Sequence, residues 1–349
     1  MPTSSNKILG LELLRGLCAL IVALYHCLTW SDLAHFYSWG LYGVYVFFGI
    51  SGAVLYANYH ASLALVPGPG QISIGQFLLK RFARLVPLLA ACVLFLAVMG
   101  NTWAVDSSFL NISLLFGFGA PGATSLLTGG WSIGIEVVLY AIFPALLAFT
   151  HSTRVAIAAL TALIVLRMAL LHFTLRGTDF IGAWSLHIQP AAFMCFFFGG
   201  MLIAKWMPRV APGYLIVAGL ACAVLLFAFP GTAPSSIVLG ARGLLLTLVS
   251  LAIVAAFFWS PANRFGAATA KFFGDISYGL YLIHPLVWNA SAGWQLSTAA
   301  HIALTLGVAT AAAWLSLRFY EAPARRFIVN LAYRGRAATS ATSTSSRSA

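Results

Sequence analysis

Apolar runs of about 17 to 25 residues follow one another along almost the whole chain, near 9–29, 38–57, 84–100, 131–149, 154–172, 190–205, 212–229, 237–258, 273–292 and 299–319. A helix rises about 1.5 Å per residue, so runs of this length suit the ~30 Å hydrocarbon core of a bilayer. The expected fold is an all-α polytopic membrane protein of about ten transmembrane helices. Charge content leads to the same place. Lys+Arg (19) and Asp+Glu (7) make up 7% of the 349 residues, against roughly 25% in a soluble domain. So few charges cannot cover the surface of a water-soluble enzyme of this size, and no sizeable soluble domain is hidden in the chain. The expected organisation is a membrane domain over 1–336 and a low-complexity, disordered cytoplasmic tail over 337–349, rich in Ala, Ser and Thr.

The net charge of +12 does not point to nucleic acid, because the basic residues are spread between apolar runs rather than gathered with aromatics on one soluble face. They read as orientation signals. With the N-terminus in the cytoplasm, Lys7, Lys80, Arg81, Arg84, Arg154, Lys205, Lys271, Arg318, Arg325 and Arg326 fall on inner segments or inner helix ends, and Arg176 falls outside. The positive-inside rule selects that orientation, with both termini cytoplasmic. The first run carries Glu12, Arg15 and His26 and is followed by further spans, so it reads as a retained helix rather than a signal peptide. Cys18, Cys27, Cys92, Cys195 and Cys222 lie in or beside apolar stretches without ligand spacing, and no metal site is expected. Two connections are long: 58–83, expected as a cytoplasmic loop broken by Pro67-Gly-Pro-Gly70, and 101–130, expected as an external re-entrant or interfacial segment capping a cavity.

Ionisable groups inside a membrane helix are costly and therefore functional candidates. Arg15 and His26 are eleven residues apart, a step of three turns plus about 20°, so they share one face about 16.5 Å apart along the axis. Glu12 stands three residues from Arg15, close enough to pair with it. By spacing alone, a cationic entrance with a distant base and a snorkelling Arg with a core His are equally good readings. Glu136, about five residues into its run, can either bind a hydroxyl or lock helix packing, with Ser132 and Tyr140 one turn to either side. Arg81 and Arg84, one turn apart beside Lys80, suit a phosphate-bearing ligand because guanidinium forks pair bidentately with phosphate oxygens.

Further motifs recur in order: Gly43-Val-Tyr-Val-Phe-Phe-Gly-Ile-Ser-Gly52, Lys80-Arg81-Phe-Ala-Arg84-Leu-Val-Pro87, Trp131-Ser-Ile-Gly-Ile-Glu136-Val-Val-Leu-Tyr140, Ile276-Ser-Tyr-Gly-Leu-Tyr281-Leu-Ile-His284-Pro285 and Tyr320-Glu-Ala-Pro323. Together with the Arg15 to His26 spacing, this set resembles the acyltransferase family 3 membrane proteins, which O-acylate surface and exported polysaccharides in bacteria. The resemblance covers about residues 8–327. It implies that His26 is catalytic and Arg15 needed for activity, and that Arg81 and Arg84, with Lys80 beside them, contact acyl-coenzyme A. It also implies residence in the bacterial inner membrane, with acetyl-CoA as donor. The acceptor is a saccharide that arrives from the outer side or on a lipid carrier, and polysaccharide assembly proteins are the expected partners. Two positions depart from the family. Tyr45 stands where the second span commonly has Asp, and Val137 stands where a second Glu often follows the first.

The sequence therefore predicts a membrane O-acyltransferase in which His26 is the general base, Arg15 and Glu136 assist it, and Lys80, Arg81 and Arg84 hold the donor. Tyr45, Trp131, Ser132, Tyr140, Tyr281 and His284 are the expected acceptor contacts. Direct transfer and an acyl-histidine relay both fit. The rival class is a saccharide transporter or exporter without bond chemistry, which ten helices with intramembrane polar groups suit as well.

Overall fold

A computed structural model describes residues 8–68, 70–100, 105–206, 213–229, 232–259 and 266–331. The expected tail over 337–349 and Lys7 lie outside these residues. The elements in chain order are α1 (Leu9–Trp30), α2 (Tyr37–Tyr59), β1 (Leu63–Ala64), β2 (Ile72–Ser73), α3 (Ile74–Met99), α4 (Val105–Ile112), α5 (Pro121–Thr124), α6 (Gly130–Ala148), α7 (Thr153–Leu175), α8 (Trp184–His187), α9 (Met194–Lys205), α10 (Gly213–Phe227), α11 (Pro234–Val238), α12 (Gly240–Trp259), α13 (Ala267–Ser291) and α14 (Thr298–Ser316). A π-turn over Leu317–Glu321 continues α14, and the helix runs on to Leu331. The two strands form one short parallel pairing, Leu63 with Ile72 and Ala64 with Ser73, which closes the turn before α3.

Every expected apolar run folds as helix, but the count of ten spans is not what the helices give. Among the described residues seven are long and apolar enough to cross a membrane: α1, α2, α3, α6, α7, α12 and the continuous helix from Thr298 to Leu331. The run at 190–205 becomes a 3-10 turn at Pro190–Ala192 and the twelve-residue α9. At about 18 Å, α9 is too short to span the hydrocarbon core. Cys195 to Leu202 are buried, so its apolar character serves the protein core rather than lipid. The 25-residue α13 is long enough, but it carries Lys271, Asp275, Ser277, His284 and Asn289 and packs centrally against α1 and α14. Its buried polar groups find partners in protein: Ser277 donates to the Gly274 carbonyl and His284 meets His26.

The connection 58–83 also differs from the expected loop. Ser73 caps a helix that begins at Ile74: its Oγ accepts from the Gln76 backbone N–H at 3.2 Å, and Gln76 Oε1 accepts from the Ser73 N–H at 3.0 Å. This reciprocal capping starts α3 ten residues before its apolar run. Lys80 and Arg81 therefore sit on the same helix as Arg84 rather than in a loop. Pro87 lies inside α3. The hydroxyls of Tyr278 and Tyr320 donate to the Leu85 and Pro87 carbonyls at 2.7 and 3.1 Å, tying α13 and the C-terminal helix to α3.

Within 105–129, α4 packs on α3, and a 3-10 turn at Leu115–Phe118 and α5 fold back against α6. Buried Asn111 holds this segment together. Its Nδ2 donates to the Ser107 and Thr124 carbonyls, both at 2.9 Å, and its Oδ1 accepts from Leu126 N–H at 3.1 Å. One side chain thus ties α4 to the Thr124 carbonyl and the Leu126 N–H, two backbone groups outside any regular ladder.

α2 and α9 pack with their backbones almost in contact, and the second-span motif explains why. A Cβ on Gly52 would overlap the Phe197 carbonyl, and one on Gly200 would overlap the carbonyl of Gly49. Small residues at a helix crossing let backbones approach where lipid supplies no hydrophobic drive between helices. The lipid-facing sides are apolar: Leu94, Phe95 and Val98 on α3, Val165 and Phe173 on α7, and Ile216 and Leu220 on α10 are exposed.

Candidate active site

His26 lies near the end of α1, and α13 runs alongside that helix for most of its length. The packing brings His26 Nδ1 to 2.9 Å from His284 Nε2, across 258 positions of sequence. The two ring planes lie within 17° of each other with centroids 5.2 Å apart, so the rings meet edge to edge along that bond. Trp30, one turn beyond His26, stacks on it at 4.9 Å and 9°, and Trp288, one turn beyond His284, meets Trp30 at 5.6 Å. His301 continues this column by stacking on Trp288 at 3.8 Å and bonding Ser291 Oγ at 2.9 Å, a partnership its sequence position does not announce. His284 is fully buried and its Nδ1 lies 3.0 Å from the Leu280 carbonyl.

The imidazole of His26 faces inward, onto a cavity of about 210 Å³ lined also by Tyr25, Tyr37, Val44, Gly129, Trp131, Phe180, Trp184 and Tyr281. The volume is below the ~300–1,000 Å³ of a site for a drug-sized ligand, so it takes a compact group. Trp131 and Trp184 meet edge to face at 5.6 Å, which gives the cavity rigid aromatic walls. Below it lies a three-way contact: the Ser132 and Tyr281 hydroxyls are 3.0 Å apart, and each lies within 3.0 Å of the Gly129 carbonyl. Behind Phe180 and Trp184 sits His187, whose Nδ1 donates to the Ala183 carbonyl at 2.8 Å. Burial holds its pKa down at about 4.

A second polar group occupies the other half of the bundle. Arg15 Nη1 donates to Glu12 Oε1 at 3.2 Å, with both side chains about nine-tenths buried. Glu136 accepts from Ser51 Oγ on α2 at 2.6 Å and from the Tyr140 hydroxyl. The charges of Arg84, Glu12 and Glu136 all act on Arg15, and Arg325 on the C-terminal helix feels Arg84 and Arg81. Arg81 Nη2 donates to the Tyr59 hydroxyl at 2.7 Å, with its guanidinium over the Tyr59 and Phe77 rings. Lys80 precedes it on the half-buried surface of α3.

The expected site residues thus fall into two groups. His26, His284, Tyr281, Ser132 and Trp131 meet at or beside the cavity. Arg15, Glu136, Tyr140, Arg84 and Arg81 gather toward the opposite helix ends, and one turn of α6, from Ser132 to Glu136, links the groups. Arg15, Arg81 and Arg84 do not line the cavity. Tyr45 joins neither group. It is 1% exposed and lies in a box with Tyr42, Phe193 and Phe196, with the Arg167 guanidinium 4.9 Å above its ring. Arg167 is itself fully buried and donates to the Ala192 carbonyl at 2.7 Å. Arg167 belongs to no motif in the sequence, and Phe180 and Trp184 carry no periodic signal in a short connecting segment. Tyr25 and Tyr37 had a weak signal in their closeness to His26 and to the start of α2.

The family model described as an acyltransferase domain matches residues 8–318. Among curated proteins, the chain is similar to the peptidoglycan O-acetyltransferase OatA of Listeria monocytogenes serovar 1/2a, at 24% identity over 370 aligned positions. The alignment takes in 93% of this chain and 56% of the relative, so the chain spans little more than half of that protein's length. No solved structure matches.

Proposed function

The chain belongs to the acyltransferase domain family, and on that premise we propose that it moves an acetyl group from cytoplasmic acetyl-CoA to a hydroxyl of a cell-surface or exported saccharide, with His26 as general base. The observation that carries this reading is the His26–His284 pair on a compact, aromatic-walled cavity inside a multi-pass helical protein. A glycosyl ring presents flat C–H faces to aromatic walls and hydroxyls to an imidazole lone pair, which is what such a cavity offers. Peptidoglycan, named for the relative, is itself a saccharide polymer, and exopolysaccharide or lipopolysaccharide units present the same chemistry.

The donor end follows from charge. Arg81 and Arg84 with Lys80 take the phosphates of coenzyme A, because planar donor forks match phosphate oxygens. Arg15 and Glu136 mark the way inward, and the thioester arm reaches His26 about 16.5 Å along the α1 axis from Arg15. To arrive there it must part the contact among Ser132, Tyr281 and Gly129, which separates the two polar groups. At the meeting point His26 accepts the hydroxyl proton, the oxygen attacks the thioester carbonyl, the C–S bond breaks, and the thiolate leaves with the proton returned by His26. The positive-inside rule supports a donor side, carrying Lys80, Arg81 and Arg84, that faces the cytoplasm.

Purified protein in proteoliposomes, given radiolabelled acetyl-CoA and a saccharide acceptor, tests the reading. Wild type transfers label and folded His26→Ala does not; label transfer by His26→Ala at the wild-type rate would overturn the assignment. Arg81→Ala with Arg84→Ala weakens coenzyme A binding at least about tenfold if those residues hold phosphates, since hydrogen bonds to charged groups contribute about 1.5–3 kcal/mol each. Unchanged binding would return them to the role of orientation signals.

A further inference from the structure

The bond between His26 and His284 contains more than proximity, because its far end is anchored on a group that can only accept. The Leu280 carbonyl lies 3.0 Å from His284 Nδ1, so that nitrogen carries the hydrogen. A neutral imidazole has one N–H, which leaves His284 Nε2 as a lone pair. That lone pair faces His26 Nδ1 at 2.9 Å, so His26 Nδ1 carries its hydrogen in turn and His26 Nε2 is left unprotonated. Both rings rest neutral. His284 is wholly buried, and among the described residues no carboxylate bonds to either ring, so a standing imidazolium there would lack a counter-charge. Stacking by Trp30, at 9° to the His26 ring, removes ring rotation as an alternative way of choosing the reactive nitrogen.

We propose that His284 is a positioning residue: through the Leu280 carbonyl it fixes His26 in the Nδ1–H tautomer, exposes Nε2 as the base, and supports the imidazolium that forms during transfer. The proposal rests on the reading of His26 as base. A carboxylate commonly orients a catalytic histidine, holding the tautomer and stabilising its cation; here a neutral imidazole does so. When His26 Nε2 takes the acceptor hydroxyl proton, Nδ1–H still points at His284 Nε2, and the positive charge is shared along that bond and with the Trp30 face. When the thiolate leaves and recovers the proton from His26 Nε2, both rings return to their starting tautomers. No proton is gained or lost by His284 over the cycle.

Two substitutions and one spectroscopic measurement test this. In Gln the side-chain oxygen reaches about as far as Nε2 of histidine and accepts the Nδ1–H of His26, whereas Leu offers no acceptor. His284→Leu is expected to lower kcat about 10²-fold, within the range of a general acid–base contribution, while the KM for acetyl-CoA stays within about twofold. His284→Gln recovers at least about tenfold of that loss. In wild-type protein labelled with ¹⁵N-histidine, the resonances lost in His26→Asn report Nδ1 as protonated and Nε2 as unprotonated, and His284→Leu turns them into a tautomer mixture. Equal loss in the Leu and Gln variants, or an effect on KM alone, would reduce His284 to packing. A wild-type His26 protonated on Nε2 would overturn the tautomer assignment even if neither variant folds. The spectroscopic result does not depend on turnover: an active His26→Ala with the expected tautomer refutes the base, not the pairing.

Discussion

Glu12→Gln leaves the Arg15 guanidinium inside the bundle without the carboxylate that accepts its Nη1–H at 3.2 Å. Unit charges at that distance attract by about 5 kcal/mol at an effective dielectric of about 20. Both side chains are about nine-tenths buried, so water screens little of it. Removing one partner of a buried pair costs about 3–5 kcal/mol, because the other charge stays behind uncompensated. The like charge of Arg84 adds to that cost and Glu136 offsets part of it, which leaves an expectation of about 3 kcal/mol. At roughly 2 °C per kcal/mol for a chain this long, thermal unfolding in detergent shifts down by about 6 °C. Arg15→Met behaves alike, and the double variant restores most of the loss, because two neutral side chains remain where two charges stood. With about 3 kcal/mol lost in each single variant and about 1 in the double, the cycle yields a coupling of about 5 kcal/mol, the size of the Coulomb attraction itself. Gly274→Ala reports on the same contact, since its Cβ would overlap the Glu12 carboxylate. Additive single effects with coupling near zero would refute the argument. Acetyl transfer is the second readout: activity lost in each single variant and regained in the double means that Arg15 acts by neutralising Glu12 inside the bundle rather than on substrate.

Gly52→Val wedges α2 away from the Phe197 carbonyl and carries Ser51 from Glu136; a loss of about 1–3 kcal/mol is expected from overpacking, and an unchanged melting temperature would mean that the two backbones are not in contact. Tyr281→Phe leaves Ser132 alone on the Gly129 carbonyl; the lost hydrogen bond is worth about 1 kcal/mol, and a measured stability equal to wild type would remove Tyr281 from that contact. His187 has its pKa lowered to about 4 in the folded chain against about 6.5 when unfolded, so between those values the unfolded state binds more protons. Its contribution, up to about 3 kcal/mol, is complete above pH ~6.5 and is lost as the pH falls toward 4. His187→Leu should flatten that limb of the stability–pH curve relative to wild type, and parallel curves would refute it.

Much of this protein was legible before any packing was known. Apolar run length located the helices within a few residues, because crossing a bilayer is a length requirement on each segment separately. The eleven-residue step from Arg15 to His26 placed both on one helix face, and the three-residue step predicted the Glu12–Arg15 pair, because helical geometry is local. The same locality explains the failures. A twelve-residue buried half-helix such as α9 and a lipid-exposed span share one composition, so the count of ten could not be corrected from pattern alone. The start of α3 was misplaced because a polar capped turn adds to a helix without adding to its apolar run.

What the chain determined by itself was therefore where its apolar helices lie along the sequence and which of their faces carry charge. Which faces meet was decided by tertiary structure. His284 reaches His26 because α13 packs along α1, with Phe273 against Gly16 and the backbone of Gly274 against Glu12. Tyr45 lies under Arg167 because α7 packs on α9 and the turn before it, and α2 approaches α9 within a glycine's width. Contacts between helices depend on the shapes of both partners at once, and no single segment holds that information.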